Sequence, residues 1–81
     1  MDLQKTLYDL IEPLVEDKES LSIQERESIN ENEVILVVYA NSNDIGRLIG
    51  RRGVMAQALR NVMGIAGRLN DQRINIQFES Y

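Results

Sequence analysis

The sequence predicts an α+β fold in which a three-stranded sheet packs against three helices, in the order α-β-β-α-α-β. Leucine and isoleucine recur at helical spacing near the N-terminus, which indicates an amphipathic helix. A β-branched run at residues 34–39 is too short for a buried helix, and residues 74–79 alternate apolar with polar side chains, so both segments predict strands. The 81 residues have room for one small domain, spanning residues 1–81.

The N-terminal segment predicts a helix and a charged connector. The helix covers about residues 2–15, with Asp2 as its cap and Pro13 bending or ending its last turn. Its apolar stripe consists of Leu3, Leu7, Leu10, Ile11 and Leu14. Residues 16–19 are all charged, which predicts a solvated connector after the helix.

Two strands follow the connector. Residues 20–29 form the weaker strand pattern, with Leu21 and Ile23 on one face. Residues 30–33 suit a hairpin turn into the β-branched run at residues 34–39. We expect that run to be the central strand of the sheet.

A pair of helices and a last strand complete the order. Residues 41–44 offer several capping side chains, so a short helix is expected from about Ile45 to Ile49, ending at Gly50. After Gly53, apolar residues at helical spacing predict a long helix that ends near residues 67–71. These apolar residues are Met55, Leu59, Val62, Met63 and Ala66. The alternating segment at residues 74–79 is the third strand.

The composition excludes several classes of function. The chain has no cysteine and no histidine, which removes disulfides, thiolate nucleophiles, imidazole bases and most zinc sites. We therefore expect no metal, no cofactor and no enzymatic activity, because catalysis would depend on scattered carboxylates. No apolar run approaches the length of a membrane span, and the first residues lack a basic leader. These patterns predict a cytoplasmic protein without a membrane partner.

The most informative segment is the loop in which Gly50 and Gly53 bracket Arg51 and Arg52. Glycine leaves the backbone unobstructed, so N–H groups at the start of the next helix can converge on an anion. No acidic residue adjoins the two arginines, and a guanidinium without a carboxylate partner remains available for a phosphate. The segment predicts a binding site for a sugar-phosphate backbone.

The charge distribution supports this interpretation although the net charge is −4. Residues 1–43 carry three basic and ten acidic side chains, whereas residues 44–81 carry six basic and three acidic ones. The arginine-rich part creates a local positive surface on an acidic protein. Arg68 and Arg73 are interpreted as solvated surface residues. The tyrosines and the phenylalanine are scattered along the chain, which argues against sheet-face stacking of bases.

The order of elements and the GxxG loop at residues 50–53 resemble a bacterial type II KH domain, over almost the whole chain. The run from Asp44 to Gly53, followed by Ala56, Ala58, Leu59 and Arg60, is similar to the KhpA family of small stand-alone KH proteins. The resemblance implies a single-stranded RNA-binding protein or RNA chaperone that forms homodimers. It also implies a heterodimer with a larger KhpB/Jag/EloR-type protein, and a link to cell elongation and envelope homeostasis.

The resemblance also implies the site residues. Backbone amides of Arg51, Arg52 and Gly53 and the arginine side chains would hold phosphates at the loop that Gly50 opens. Three apolar residues would form a floor for bases, and two further arginines would extend the positive rim. The floor residues are Ile45, Ile49 and Val54, and the rim residues are Arg47 and Arg60. Ala56 stands where many KH domains carry isoleucine, which predicts a shallower groove.

A protein-interaction module is the alternative function. Met55, Leu59 or Val62 on the second helix of the pair could form a dimer seam, and RNA binding would then be weak or absent. A seam that overlaps residues 50–53 would make dimerisation and RNA binding compete.

Overall fold

The computed structural model describes residues 2–81 and confirms the α+β order α-β-β-α-α-β. Three short 3-10 turns, at Glu12–Leu14, Lys18–Ser20 and Arg51–Gly53, connect the main elements. The helices are α1 (Leu3–Ile11), α2 (Ser42–Ile49) and α3 (Val54–Leu69), and the strands are β1 (Ser22–Glu27), β2 (Glu33–Ala40) and β3 (Arg73–Ser80). None of the helices found in residues 2–81 is long and apolar enough to cross a lipid bilayer.

The β-branched run forms the central strand, as predicted. β2 pairs antiparallel with β1 and parallel with β3, so one edge of β3 has no strand beside it within the described residues. Alternate side chains of β2 face the helices and are buried. The core combines Leu36 and Val38 of β2 with Leu7 of α1, Leu48 of α2 and Met63 of α3.

The first helix is shorter than the predicted span of residues 2–15. Asp2 caps α1 by accepting the N–H of Lys5 at 3.2 Å. The helix ends at Ile11 because Pro13 has no N–H to continue the α-helical pattern, and Glu12–Leu14 tightens into a 3-10 turn.

Two other predicted boundaries shift for local reasons. α2 begins at Ser42 rather than near Ile45, because the Asn41 side chain accepts the N–H of Asp44 at 2.9 Å and caps the helix there. β1 is shorter than residues 20–29, since Lys18–Ser20 forms a 3-10 turn and the strand ends at Glu27.

The charged connector at residues 16–19 is not simply solvated. The N–H groups of Glu16 and Asp17 each donate to a carboxylate oxygen of Asp44, at 3.0 Å. Asp44 lies in α2, so the start of that helix ties down the connector. The side chains of Glu16, Lys18 and Glu19 are exposed, as predicted. The backbone contacts could not be predicted because Asp44 lies more than 25 residues further along the chain.

Candidate nucleic-acid interface

The loop between α2 and α3 has the backbone geometry that its glycines predict. Gly50 has φ 76° and ψ 174°, and Gly53 has φ 76° and ψ 13°. Arg52 also adopts the left-handed region, with φ 57° and ψ 22°. Left-handed backbone is unfavourable for a residue with a Cβ atom. The loop therefore contains local strain at an arginine, a feature that often marks a functional site.

Gly50 is required by packing as well as by its backbone angles. A Cβ atom at this position would lie 2.9 Å from the Cβ atom of Met55 and 3.0 Å from its backbone nitrogen. A Cβ atom at Gly53 would meet nothing within 4 Å. The close approach of Gly50 to the first turn of α3 sets the bend between the two helices.

The backbone N–H groups of the loop are not equally available. The Gly50 N–H donates to the Gly46 carbonyl at 2.9 Å, and the Gly53 N–H donates to the Gly50 carbonyl at 3.1 Å. The prediction that the Gly53 amide is available for a phosphate is therefore wrong. The amides of Arg51 and Arg52 are the remaining candidates at the tip of the loop.

Arg51 and Arg52 are exposed, and within residues 2–81 neither forms an ion pair. Both line a surface depression of approximately 590 Å³. Val54, which is 67% exposed, and Met55 form its apolar part. Two uncompensated guanidinium groups beside an apolar surface can hold an anionic, partly apolar ligand such as a nucleotide.

Arg47 borders the same depression, but its charge is already balanced. Its Nη1 donates to Asp44 Oδ1 and its Nη2 donates to Glu16 Oε1, both at 2.8 Å. The interpretation of Arg47 as a free rim charge therefore needs correction. Folding brings Glu16 to it from 31 residues away, and no spacing within the sequence indicates that contact.

Asp44 is the buried centre of this network. Its side chain accepts the two connector N–H groups and the Arg47 guanidinium. The N–H donors of Glu16 and Asp17, followed by Arg47, hold the pKa of Asp44 below its ordinary value, although burial opposes them. Asp44 therefore stays ionised, whereas the sequence pattern indicates only a possible helix cap at this position.

The three predicted floor residues differ in exposure. Ile45 is only 9% exposed and belongs to the hydrophobic core, so it supports the surface from below. Ile49 is 38% exposed and Val54 is 67% exposed. Of the three, only these two present substantial apolar surface beside the loop, because α2 turns Ile45 towards the core.

Arg60 lies at a second depression, further along α3. Its Nη2 donates to the Ile76 carbonyl on β3 at 3.3 Å, and its guanidinium lies 5.8 Å from the ring centre of Phe78. Other lining residues of this depression include Gly64, Arg68 and Arg73. Arg68 and Arg73 are exposed, as predicted, and the packing of α3 on β3 brings them to the same depression as Arg60. Hydrogen bonds from Ser28 and Asn30 lower the pKa of Glu33, and the nearby charge of Arg73 adds to this shift, so Glu33 partly balances the charge of Arg73.

The three residues that could form a dimer seam on α3 also differ in exposure. Leu59 is 6% exposed and packs in the core, and Met55 is partly buried against it. Val62 is exposed, and it continues into an apolar stripe on α3. We define the apolar stripe as Val62, Ile65 and Leu69, which are 49%, 57% and 73% exposed.

Within the described part of the chain, no three acidic residues gather as metal ligands. Tyr39 and Tyr81, which are far apart in the sequence, stack with ring centres 6.0 Å apart. β2 and the residue after β3 bring the two rings together on the sheet.

The sequence is similar to that of a known protein family and of several of its members. The family model described as KhpA/KhpB, KH domain, matches residues 4–78. The RNA-binding protein KhpA of Listeria monocytogenes EGD-e is 25% identical over 75 residues, covering 93% of this chain and 96% of the relative. The protein of the same name from Lactiplantibacillus plantarum is 28% identical over 78 residues, covering 96% of this chain and 89% of the relative. No solved structure gives a significant match.

Proposed function

Because the chain belongs to the KhpA/KhpB KH-domain family, we propose that it is a cytoplasmic protein that binds single-stranded RNA at the loop of residues 50–53. KH domains clamp about four nucleotides of a single strand at this loop. The observation that carries the proposal is the pair Arg51 and Arg52, exposed and without ion pairs in residues 2–81, on a loop that glycines open.

The arrangement of donors suggests how a strand is held. The amides of Arg51 and Arg52 and the two guanidinium groups contact phosphates, and Ile49 and Val54 lie beside the bases. The strand then continues along α3 towards Arg60 at the free edge of β3. The phosphate contacts make the affinity salt-dependent, and because they are few we expect an affinity in the micromolar range or weaker.

The proposal is tested with a charge-reversed loop. Fluorescence anisotropy with a labelled single-stranded RNA is measured for the wild type and for Arg51→Asp/Arg52→Asp, at low and at physiological salt. We expect salt-dependent binding by the wild type and none by the variant. Lys5→Asp/Arg26→Asp makes the same change in net charge at exposed positions of α1 and β1 and is the matched control. Equal binding by the folded loop variant and the wild type would contradict the proposal.

A protein-interaction module is the second candidate function, and the apolar stripe of α3 favours it. Three exposed aliphatic side chains on one helix suit a seam between two copies. We propose a homodimer through this stripe, which also raises the effective concentration of RNA sites. The stripe does not include Arg51 or Arg52, so a dimer built on it leaves the loop accessible.

Sedimentation velocity of the wild type and of Val62→Glu/Leu69→Glu tests the seam. We expect a dimer that the double variant converts to a folded monomer, with RNA binding per chain retained at high RNA concentration. Gln24→Glu/Gln77→Glu, which adds the same two negative charges at exposed positions of β1 and β3, is the matched control. A monomeric wild type at every concentration would reject the dimer.

Family membership also supports finer proposals. We propose that the chain acts as an RNA chaperone and pairs with a KhpB/Jag/EloR-type protein that carries its own KH domain, in post-transcriptional control linked to cell elongation and envelope homeostasis. Mixing the purified chain with such a protein and measuring the mass of the complex tests the pairing. Unchanged elution of both proteins would reject it.

A further inference from the structure

Gly64 lies in the interior of α3, where glycine is unfavourable for stability. Glycine loses more backbone freedom on folding than any other residue and is a poor helix former. A Cβ atom at Gly64 would meet nothing within 4 Å. Neither its backbone conformation nor its packing within the fold requires a glycine.

Gly67, one turn later in α3, is a glycine that the packing of the fold requires. A Cβ atom there would lie 2.6 Å from Cγ1 of Ile74 and 2.7 Å from the carbonyl of Gln72. Gly67 therefore allows α3 to approach β3. Gly64 has no such internal neighbour, so the space above its backbone is open to a ligand.

The surroundings of Gly64 indicate what kind of ligand fits. Arg60 and Arg68 stand four residues before and after it, on the same face of α3, and all three residues line the second depression. The hydrogen bond from Arg60 to the Ile76 carbonyl holds one guanidinium beside the free edge of β3. At Gly64 no side chain covers the helix backbone, and an arginine lies on each side of it. A nucleotide fits this arrangement, because its base is flat and the phosphates that flank it are negatively charged.

We propose that Gly64 is a ligand-contact residue, at which a nucleotide of the bound strand lies directly against the backbone of α3 between Arg60 and Arg68. The inference rests on the proposed function, since the ligand is the same single-stranded RNA. Ten residues of helix separate Val54 from Gly64, about 15 Å at the α-helical rise. The contact therefore engages nucleotides beyond those held by the loop.

The test separates a ligand role from a structural one because the two predict opposite signs for stability. Gly64→Ala raises the melting temperature by about 2–8 °C, since alanine is the better helix former and its methyl group meets no neighbour. The same variant weakens binding of a ten-nucleotide single-stranded RNA by about threefold. Gly64→Leu weakens it by at least about tenfold, because a larger side chain fills the contact.

One control tests whether a leucine elsewhere on α3 weakens binding, and the other uses an RNA that is too short to reach Gly64. Ala58→Leu places the same side chain at another exposed position of α3 and leaves the affinity unchanged. A four-nucleotide RNA, long enough only for the loop, binds to all variants equally. Anisotropy for affinity and circular dichroism for melting give both readouts on each protein.

The outcomes distinguish this inference from the proposed function. If the wild type binds, Arg51→Asp/Arg52→Asp does not, and both Gly64 variants bind the longer RNA like the wild type, the Gly64 contact is rejected and the loop proposal stands. Equal weakening by Ala58→Leu and Gly64→Leu also rejects the contact. If the wild type binds neither RNA, both proposals are overturned.

Discussion

The arginine of α2 and the arginines of the loop that follows it behave as two different regions, although they are only a few residues apart. Arg47 pairs its guanidinium with Asp44 and Glu16, at 2.8 Å each. Arg51 and Arg52 project from a strained, glycine-bracketed turn and form no ion pair within residues 2–81. Charge that a sequence contains is thus not the same as charge that a ligand can use.

The difference follows from what each arginine can reach. Arg47 contacts a buried carboxylate that already accepts two backbone N–H groups. No acidic side chain of residues 2–81 lies within ion-pair distance of the loop arginines. Internal pairing links α2 to the connector, whereas the unpaired side chains of the loop remain available for phosphate oxygens. Substitutions in each of the two regions test this difference.

The largest effect is expected from Gly50→Ala, which perturbs the loop side. The new Cβ atom would clash with Met55 in the first turn of α3 and force an unfavourable backbone region. We expect the free energy of unfolding to fall by about 2–4 kcal/mol, measured by urea denaturation. Gly53→Ala, where a Cβ atom has open space, should cost only about 1–2 kcal/mol. Equal losses would contradict the packing role of Gly50.

Asp44→Asn perturbs the internally paired side. The amide leaves one connector N–H facing another donor and removes the partner charge of Arg47, so the melting temperature should fall at neutral pH. The folded-state pKa of Asp44 is lowered, so its contribution is present above the unfolded-state pKa and is lost as pH falls below about 4 through the folded value. The difference in stability between the wild type and the variant should shrink over that acid range.

Asp71→Asn, at an exposed position, is the matched control for the loss of one carboxylate. It should lower the melting temperature at neutral pH less than Asp44→Asn does, because the Asp71 side chain is exposed. If the difference in stability between the wild type and Asp44→Asn stays constant down to the acid transition, the Asp44 carboxylate has no special role.

Replacing one arginine at a time with glutamine compares the unpaired Arg51 of the loop with the paired Arg47 of α2. Arg51→Gln should weaken RNA binding by at least about threefold and reduce the slope of log affinity against log salt by about 0.7, the contribution of one single-strand phosphate contact. Arg47→Gln should change both quantities less, because its charge is already compensated. Titrations over a series of salt concentrations measure the slopes. Equal slopes for both variants would remove the distinction between the regions.

The smallest effect is expected from Glu16→Gln, which frees one side of Arg47. The Glu16 side chain is 78% exposed, so the pair is a surface ion pair of modest strength. Nη2 of Arg47 can then bind a phosphate, so the affinity for RNA should rise about two- to fivefold. This gain in affinity should decline as the salt concentration rises. Glu19→Gln, in the same connector, should give no comparable gain. A gain that persists when Arg47→Gln is also present would exclude this explanation.

The secondary structure could be predicted because its signals are local. The apolar repeat of α1, the β-branched run of β2 and the alternation of β3 each depend on neighbouring residues. Boundary errors came from single interactions, the missing N–H of Pro13 and the side-chain cap of Asn41. The candidate loop was predictable for the same reason, since its glycines and arginines are adjacent.

Local sequence signals predict the order of elements and the position of the GxxG loop, and the composition excludes histidine and cysteine chemistry. The packing of distant segments buries Ile45, pairs Arg47 with Glu16, and brings Arg60, Gly64 and Arg68 to one depression beside β3. Backbone preference and hydrophobic period act over a few residues. Burial and charge compensation depend on which distant segments meet, and that is fixed when the sheet and helices pack.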